Sequence, residues 1–420
     1  MENQNQSINR SYILPIAVMY MLWFMIAFVT NFAGSMGVIV KNQFGASNAM
    51  AQLGTVANFL AYLCMGIPGG IILKRKGYKF TSLLAVAIGF VGVGIQWLSG
   101  PMESFGIYVL GAFVAGFSMC LLNIVVNPMC NTLGGGGKRG NQLCQFGGTF
   151  NSIGGTLAPI ILGYLIGGEA ANAGVSDAAP AMIAALAIFA FCFIVVLLTR
   201  IPEPHIETPE QREARAHDSY SPMSFRHFIL GIVAIFCYIG VEVGIPNMAN
   251  LYMSNDPKVG AVVAGTIVGL YWLMMMVGRL LGGLLGGVLS SKQMLTAVSA
   301  MCIVMLLCVM LFPTTWVVTF KGVELPISMI IMFLCGLMTS VMWGAIFNLA
   351  TEGLGKYTPA ASGIFMTMVC GGGILTFLQG ALADKIGYLH SYALPIVCLV
   401  FILFYALFGC KNVNEDIPTE

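Results

Sequence analysis

The chain has 420 residues, of which 58% are hydrophobic and only 9% charged, and its mean hydropathy is +0.87. Soluble proteins carry roughly 25% charged residues, so this composition excludes a water-solvated multidomain protein and makes the bilayer the main solvent. A net charge of +2, with no Lys/Arg cluster outside short loops, also excludes a nucleic-acid-tracking surface.

A bilayer-spanning helix needs about 20 mainly apolar residues. Cutting the sequence at charged and turn-forming clusters predicts twelve such helices: 11–40, 48–73, 81–100, 104–131, 141–168, 178–199, 226–254, 259–288, 294–313, 325–351, 358–384 and 390–410. The first run is too long for a signal-peptide core and lacks a small-residue cleavage site, so it is read as a retained helix. The one long polar stretch, 200–227, divides the chain nearly in half. The expected architecture is an all-α membrane protein of twelve transmembrane helices in a 6+6 arrangement. Residues 1–199 form an N-terminal bundle, 200–225 a cytoplasmic linker and 226–420 a C-terminal bundle.

Lys/Arg bias in short loops sets orientation. With the N-terminus inside, 15 of the 19 basic residues fall on the cytoplasmic side, and Lys41, Lys258, Lys321 and Lys385 fall outside. Both termini and the linker are therefore expected in the cytoplasm. The halves also echo one another. Gly69-Gly70 answers Gly282-Gly283, Asn127-x5-Leu133-Gly134 answers Asn348-x5-Leu354-Gly355, and Gly154-Gly155-x7-Gly163 answers Gly371-Gly372-x7-Gly380, at offsets of 213, 221 and 217. Such repeats place a substrate site near the midplane between two halves that rock to open alternately. The 51 glycines are read mostly as packing, since small residues let membrane helices approach closely.

Charges inside the membrane are costly and usually functional. Of the 17 acids, sixteen fall in tails, loops or helix ends. The exception is Glu242 in CYIGVEVGIPNMANLY, sixteen residues past Arg226, which at about 1.5 Å per residue is near mid-depth. Glu242 is read as a cation-coupling group, the alternative being a permanently protonated acid bonded to a neighbouring helix. Lys74, Arg75, Arg279 and Glu352 sit near helix ends and are read as gating residues. Amides both donate and accept, which suits sugar hydroxyls, and aromatic faces suit the C–H face of a pyranose. Asn31, Asn123, Asn127, Asn151, Tyr238, Asn247, Trp272, Asn348 and Gln379 are thus candidate substrate contacts; the alternative for each is an interhelical hydrogen bond.

The 12 cysteines lie mostly in apolar runs without metal-type spacing and are read as free thiols, with no metal and no cofactor. The four His residues (205, 217, 227 and 390) lie in the linker or at helix ends. With no paired acids and no nucleophile beside a base, the chain is not expected to be an enzyme.

Several runs resemble the fucose/galactose/glucose:cation symporters of the major facilitator superfamily. They are Arg10-Ser11-Tyr12-Ile13-Leu14-Pro15, Gly70-x3-Lys74-Arg75-x-Gly77-Tyr78-Lys79, Asn127-Pro128, Thr149-Phe150-Asn151-Ser152, Tyr238-x3-Glu242-Val243, Gly278-Arg279 and, most specific of all, Thr351-Glu352-Gly353-Leu354-Gly355-Lys356-Tyr357-Thr358. The resemblance implies a monomeric carrier in the bacterial inner membrane, surrounded by lipid, that imports a monosaccharide with a proton or sodium ion. It also has departures. Where fucose-proton members carry an Asp after the first-helix Asn, an intramembrane Glu before Asn-Pro, and an amide before Phe-Asn-Ser, this chain has Gly34, Asn123 and Gly148. Coupling is therefore expected to have moved to Glu242. A sugar uniporter and an importer of acidic sugars, with Arg279 as the one basic residue able to reach inward, stay open as alternatives.

Overall fold

The computed structural model describes residues 12–133, 137–165, 174–203, 220–256, 258–285, 289–320, 322–354, 357–414 and 416–417. Arg10, the middle of the linker, Lys321 and Lys356 lie outside these, as do the side chains of Lys138 and Arg139. In hydrocarbon every backbone N–H and C=O must be paired within the segment, and the apolar runs answer with helices. The first span is α1 (Ile13–Ser35) followed almost without interruption by α2 (Gly37–Gln43); bonds from Met36 N to Phe32 O and from Val40 N to Met36 O carry the ladder across the joint.

A short turn α3 (Asn48–Ala51) leads into α4 (Leu53–Leu98), which holds the second and third spans. The sequence predicts a loop between them. The structure instead bends one 46-residue helical run at Gly77, whose φ of 83° is a left-handed value that glycine adopts without steric cost. The Glu203 carboxylate takes the freed N–H groups of Tyr78 (2.5 Å) and Lys79 (2.9 Å). Next come α5 (Phe105–Leu133), α6 (Gly137–Leu165) and α7 (Ala179–Leu198), completing the first half.

The second half comprises α8 (Arg226–Ser254), α9 (Gly260–Leu285), α10 (Ser291–Leu311), α11 (Ile327–Thr339) with α12 (Met342–Thr351), α13 (Thr358–Thr367) with α14 (Gly371–Ile386), and α15 (Ala393–Phe404). Ten described helical runs are long and apolar enough to cross a membrane. One of them is the double span α4, and α6, more polar at its start, joins the set, giving the twelve expected helices. An element the sequence reading missed lies between α10 and α11. Val317–Phe320 and Val323–Pro326 form an antiparallel hairpin, β1 and β2, paired from Val317↔Pro326 to Phe320↔Val323. The β-branched Val317, Val318, Thr319 and Val323 suit a pleat, and Gly322 turns the hairpin with φ 80°.

Two antiparallel seams join the halves. Along the first, α6 and α9 approach so closely that the Ala261 carbonyl oxygen lies 2.7 Å from where a Cβ of Gly163 would be, and the Pro159 carbonyl faces Gly265 in the same way. Along the second, a Cβ on Gly373 of α14 would lie 2.8 Å from the Val56 Cα of α4. Such contact supplies the van der Waals packing that drives helix association where lipid removes the hydrophobic incentive.

Candidate functional site

Halfway along α8, Glu242 is 9% exposed. Its carboxylate lies 3.6 Å from Arg279 Nη2. Arg279, near the end of α9 and read from the sequence as the one basic residue able to reach inward, has a side chain that is 15% exposed and turns inward. Its Nη1 donates to the Gly148 carbonyl at 2.8 Å and to Ser152 Oγ at 3.1 Å, both on α6 in the other half. One guanidinium thus spans the interface between halves, and its planar fork of donors suits that role. A Cβ on Gly148 would sit 3.5 Å from Arg279 Nη1. A longer side chain there would compete for the space the guanidinium fills.

Two tyrosines frame this pair. The Tyr271 hydroxyl donates to the Glu242 backbone carbonyl at 3.1 Å and lies 3.0 Å from Thr339 Oγ1. Tyr238, one turn before Glu242, is fully buried, lies within electrostatic reach of Glu242 and Arg279, and its hydroxyl has no hydrogen bond of normal geometry. Tyr238 also packs edge-on against Trp343.

The candidate substrate contacts separate into three groups and one outlier. Asn31 and Trp272 meet over Gly155: a Cβ there would lie 3.0 Å from the indole and 3.2 Å from Asn31 Nδ2, so a larger residue would press on both. Asn31 Nδ2 is bonded to its own helix at Ala27 O, whereas Trp272 Nε1 is buried without a partner. On the first half, Asn123 donates to the Tyr62 hydroxyl at 2.9 Å, Asn127 donates to Asn123 O at 2.9 Å, and Asn151 donates to Trp23 O at 3.0 Å. Between halves, Asn247 Nδ2 donates to Gln52 Oε1 at 3.2 Å and Thr55 Oγ1 at 3.3 Å. Beside it Gln379 fills the space over Gly244. The side-chain nitrogens of Gln52 and Gln379 are buried and unpaired. Asn348, by contrast, is exposed on α12 and stands apart from these groups.

Among the candidate gating residues Arg279 makes a contact across the halves. Arg75 is exposed and Lys74 half-buried on α4, just before the Gly77 bend. Glu352 is exposed, and its backbone carbonyl accepts from His227 Nε2 at 2.9 Å. Sequence reasoning assigned no role to Tyr62, Thr55 or Thr339. Each is an ordinary helix residue in the sequence and meets its partner from another helix only through tertiary packing.

Residues 16–377 match the Major Facilitator Superfamily. The chain belongs to that superfamily. It is 28% identical to a glucose/galactose transporter of Brucella abortus, with 97% of this chain and 96% of that one aligned. To the L-fucose-proton symporter of Escherichia coli it is 23% identical, with 97% and 95% covered. The crystal structure of the E. coli fucose:proton symporter superposes with a TM-score of 0.68 at 20% identity, covering 96% of this chain and 100% of that one. A D-xylose-proton symporter structure superposes with a TM-score of 0.68 at 13% identity, covering 96% and 98%. The superfamily fold and the resemblance read from the sequence motifs are thereby borne out, and the chain is a multi-pass membrane protein.

Proposed function

We propose that this protein is a secondary active transporter that imports a monosaccharide or related sugar, such as a hexose, deoxyhexose or amino sugar, by alternating access coupled to H⁺ or Na⁺. The observation that carries this reading is the buried Glu242 carboxylate, held by an arginine that also grips the opposite half. A charge change at Glu242 alters what Arg279 holds, and so alters the interface that must rearrange between outward- and inward-open states. A ligand or ion drives such a change only by its differential affinity for the two states. The amide and aromatic groups around this centre suit an uncharged, hydroxyl-rich solute. The names of the relatives point the same way.

On this reading residues 1–199 and 226–420 are the rocking bundles and 200–225 the cytoplasmic linker. Both termini are cytoplasmic, and the carrier works as a monomer in a bacterial inner membrane. It uses no bound cofactor, only the co-transported ion, and binds lipid and a small sugar rather than nucleic acid. A transmembrane potential supplies about 2.3 kcal/mol per charge per 100 mV, enough to drive accumulation roughly fiftyfold at that voltage.

Two observations sustain second readings. The first half carries Gly34 and Asn123 where proton-coupled relatives carry acids, which favours uniport. Arg279, deeper than the sequence suggested, could meet an acidic sugar once Glu242 is neutral. Uptake of a labelled panel of neutral, amino and acidic sugars into membrane vesicles, with and without a sodium gradient and across pH, separates the three. Accumulation of a neutral sugar under an ion gradient supports the leading reading. Equilibration without accumulation selects uniport, and accumulation confined to acidic sugars selects the third.

A further inference from the structure

At the end of the bundle remote from the linker, α2 and α3 of the first half meet the tip of α14 and the turn after it. The Asp384 carboxylate accepts the backbone N–H of Asn48 at 2.8 Å through Oδ1 and that of Ala49 at 3.1 Å through Oδ2. These are the first free amides of the turn that opens the second span, and Ser47 Oγ takes a third, from Met50, at 3.2 Å. Nearby, Lys41 donates to Asn48 Oδ1 at 2.8 Å and to the Tyr388 hydroxyl, with its ammonium 5.0 Å from the Tyr388 ring centre. The backbones are equally close: a Cβ on Gly380 would meet the Asn48 carbonyl at 2.7 Å. Asn48 therefore receives an anion on its backbone and a cation on its side chain, both within one small contact.

We propose that Asp384, with Lys41 and Tyr388 in support, is the catch that holds this end of the carrier shut, positioning the halves for the state in which the other end can open. The bonds from Asn48 and Ala49 to Asp384 and from Lys41 to Tyr388 run between the halves, with Lys41–Asn48 supporting them from within the first half, so separation of the halves here must break the three crossing bonds together. Asp384 is exposed on its outer side. Water can therefore replace the Asn48 and Ala49 amides as they leave, which allows a catch to open as well as close. A carboxylate bonded to N–H groups makes stronger hydrogen bonds than a neutral acceptor, so the single charge at position 384 matters more than its volume.

The test needs no substrate and stands apart from the assignment of a sugar. Met102, beyond the end of α4, and Trp316, just before β1, are exposed on opposite halves at this end. Each is replaced by cysteine and spin-labelled in the full-length carrier, with the exposed Cys64 changed to serine, and the distance distribution is recorded without ligand. Asp384→Ala is expected to move the distribution toward longer distances by several ångströms, Asp384→Asn to move it part of the way, and Lys41→Gln to do the same. Superimposable distributions for Asp384→Asn and Lys41→Gln and the parent would overturn the proposal, whether or not Asp384→Ala folds.

Discussion

The Arg279 guanidinium places one nitrogen 3.6 Å from the Glu242 carboxylate and the other 2.8 Å from the Gly148 carbonyl of the opposite half. Charge on α8 and contact with α6 are thus linked through a single side chain. Removing the carboxylate charge should therefore uncouple the carrier without emptying its binding site. Glu242→Gln is expected to lower ion-driven accumulation at least about tenfold, the equivalent of 1.4 kcal/mol, while substrate counterflow persists. Measuring both in the same vesicles separates coupling from binding.

Returning a long amide to position 148 tests the cross-half contact from the other side. Gly148→Gln puts a side chain into the space where Arg279 Nη1 bonds Gly148 O and Ser152 Oγ. Transport rate should fall several-fold, and Ser152→Ala should cost less, since the carbonyl bond survives. In a double-mutant cycle, Arg279→Met and Ser152→Ala should couple by roughly 0.5–3 kcal/mol when read from transport rates.

The amide group between halves leads to a prediction about affinity. Asn247 is bonded to Gln52 and Thr55, while the Gln52 and Gln379 nitrogens are buried with donors to spare. Asn247→Leu takes the donor away from Gln52 Oε1 and Thr55 Oγ1, at a cost of about 1–3 kcal/mol. Sugar KM should rise about five- to hundredfold, with maximal rate changed less; a KM within twofold of the parent would remove Asn247 from the substrate site.

The glycine seam carries stability rather than chemistry. Gly265→Leu would force a side chain against the Pro159 backbone, and overpacking a tight contact costs typically 1–3 kcal/mol. The purified variant should unfold at lower temperature in a detergent thermal-shift measurement, and Gly344→Ala, where nothing lies near the added atom, should not.

Much of this fold is written in plain sight, because lipid demands long apolar helices and the charge pattern marks their ends. The double span through Gly77 was the main departure. A Lys/Arg-rich loop looks like a break in composition, yet Glu203 supplies the acceptor that lets two helices meet in a bend. The hairpin at 317–326 escaped because its strands are too short to stand out between two spans. At the site, Glu242 is legible as an intramembrane carboxylate and Arg279 as the one basic residue able to reach inward, whereas its partners Gly148 and Ser152 on the opposite half are not, since depth along a helix says little about where a long, flexible side chain ends. Asn348 shows the converse. Its repeat partner Asn127 sits against Asn123, but Asn348 is exposed on α12 with none of these contacts. Sequence places an amide on a helix; packing decides which face it shows.

Sugar uptake into right-side-out vesicles under an imposed proton or sodium gradient, compared between the parent chain and Glu242→Gln, bears most directly on the central claim. The parent should accumulate sugar above the external concentration and the variant should only equilibrate. Equal accumulation in both would contradict the assignment of Glu242 as the coupling group.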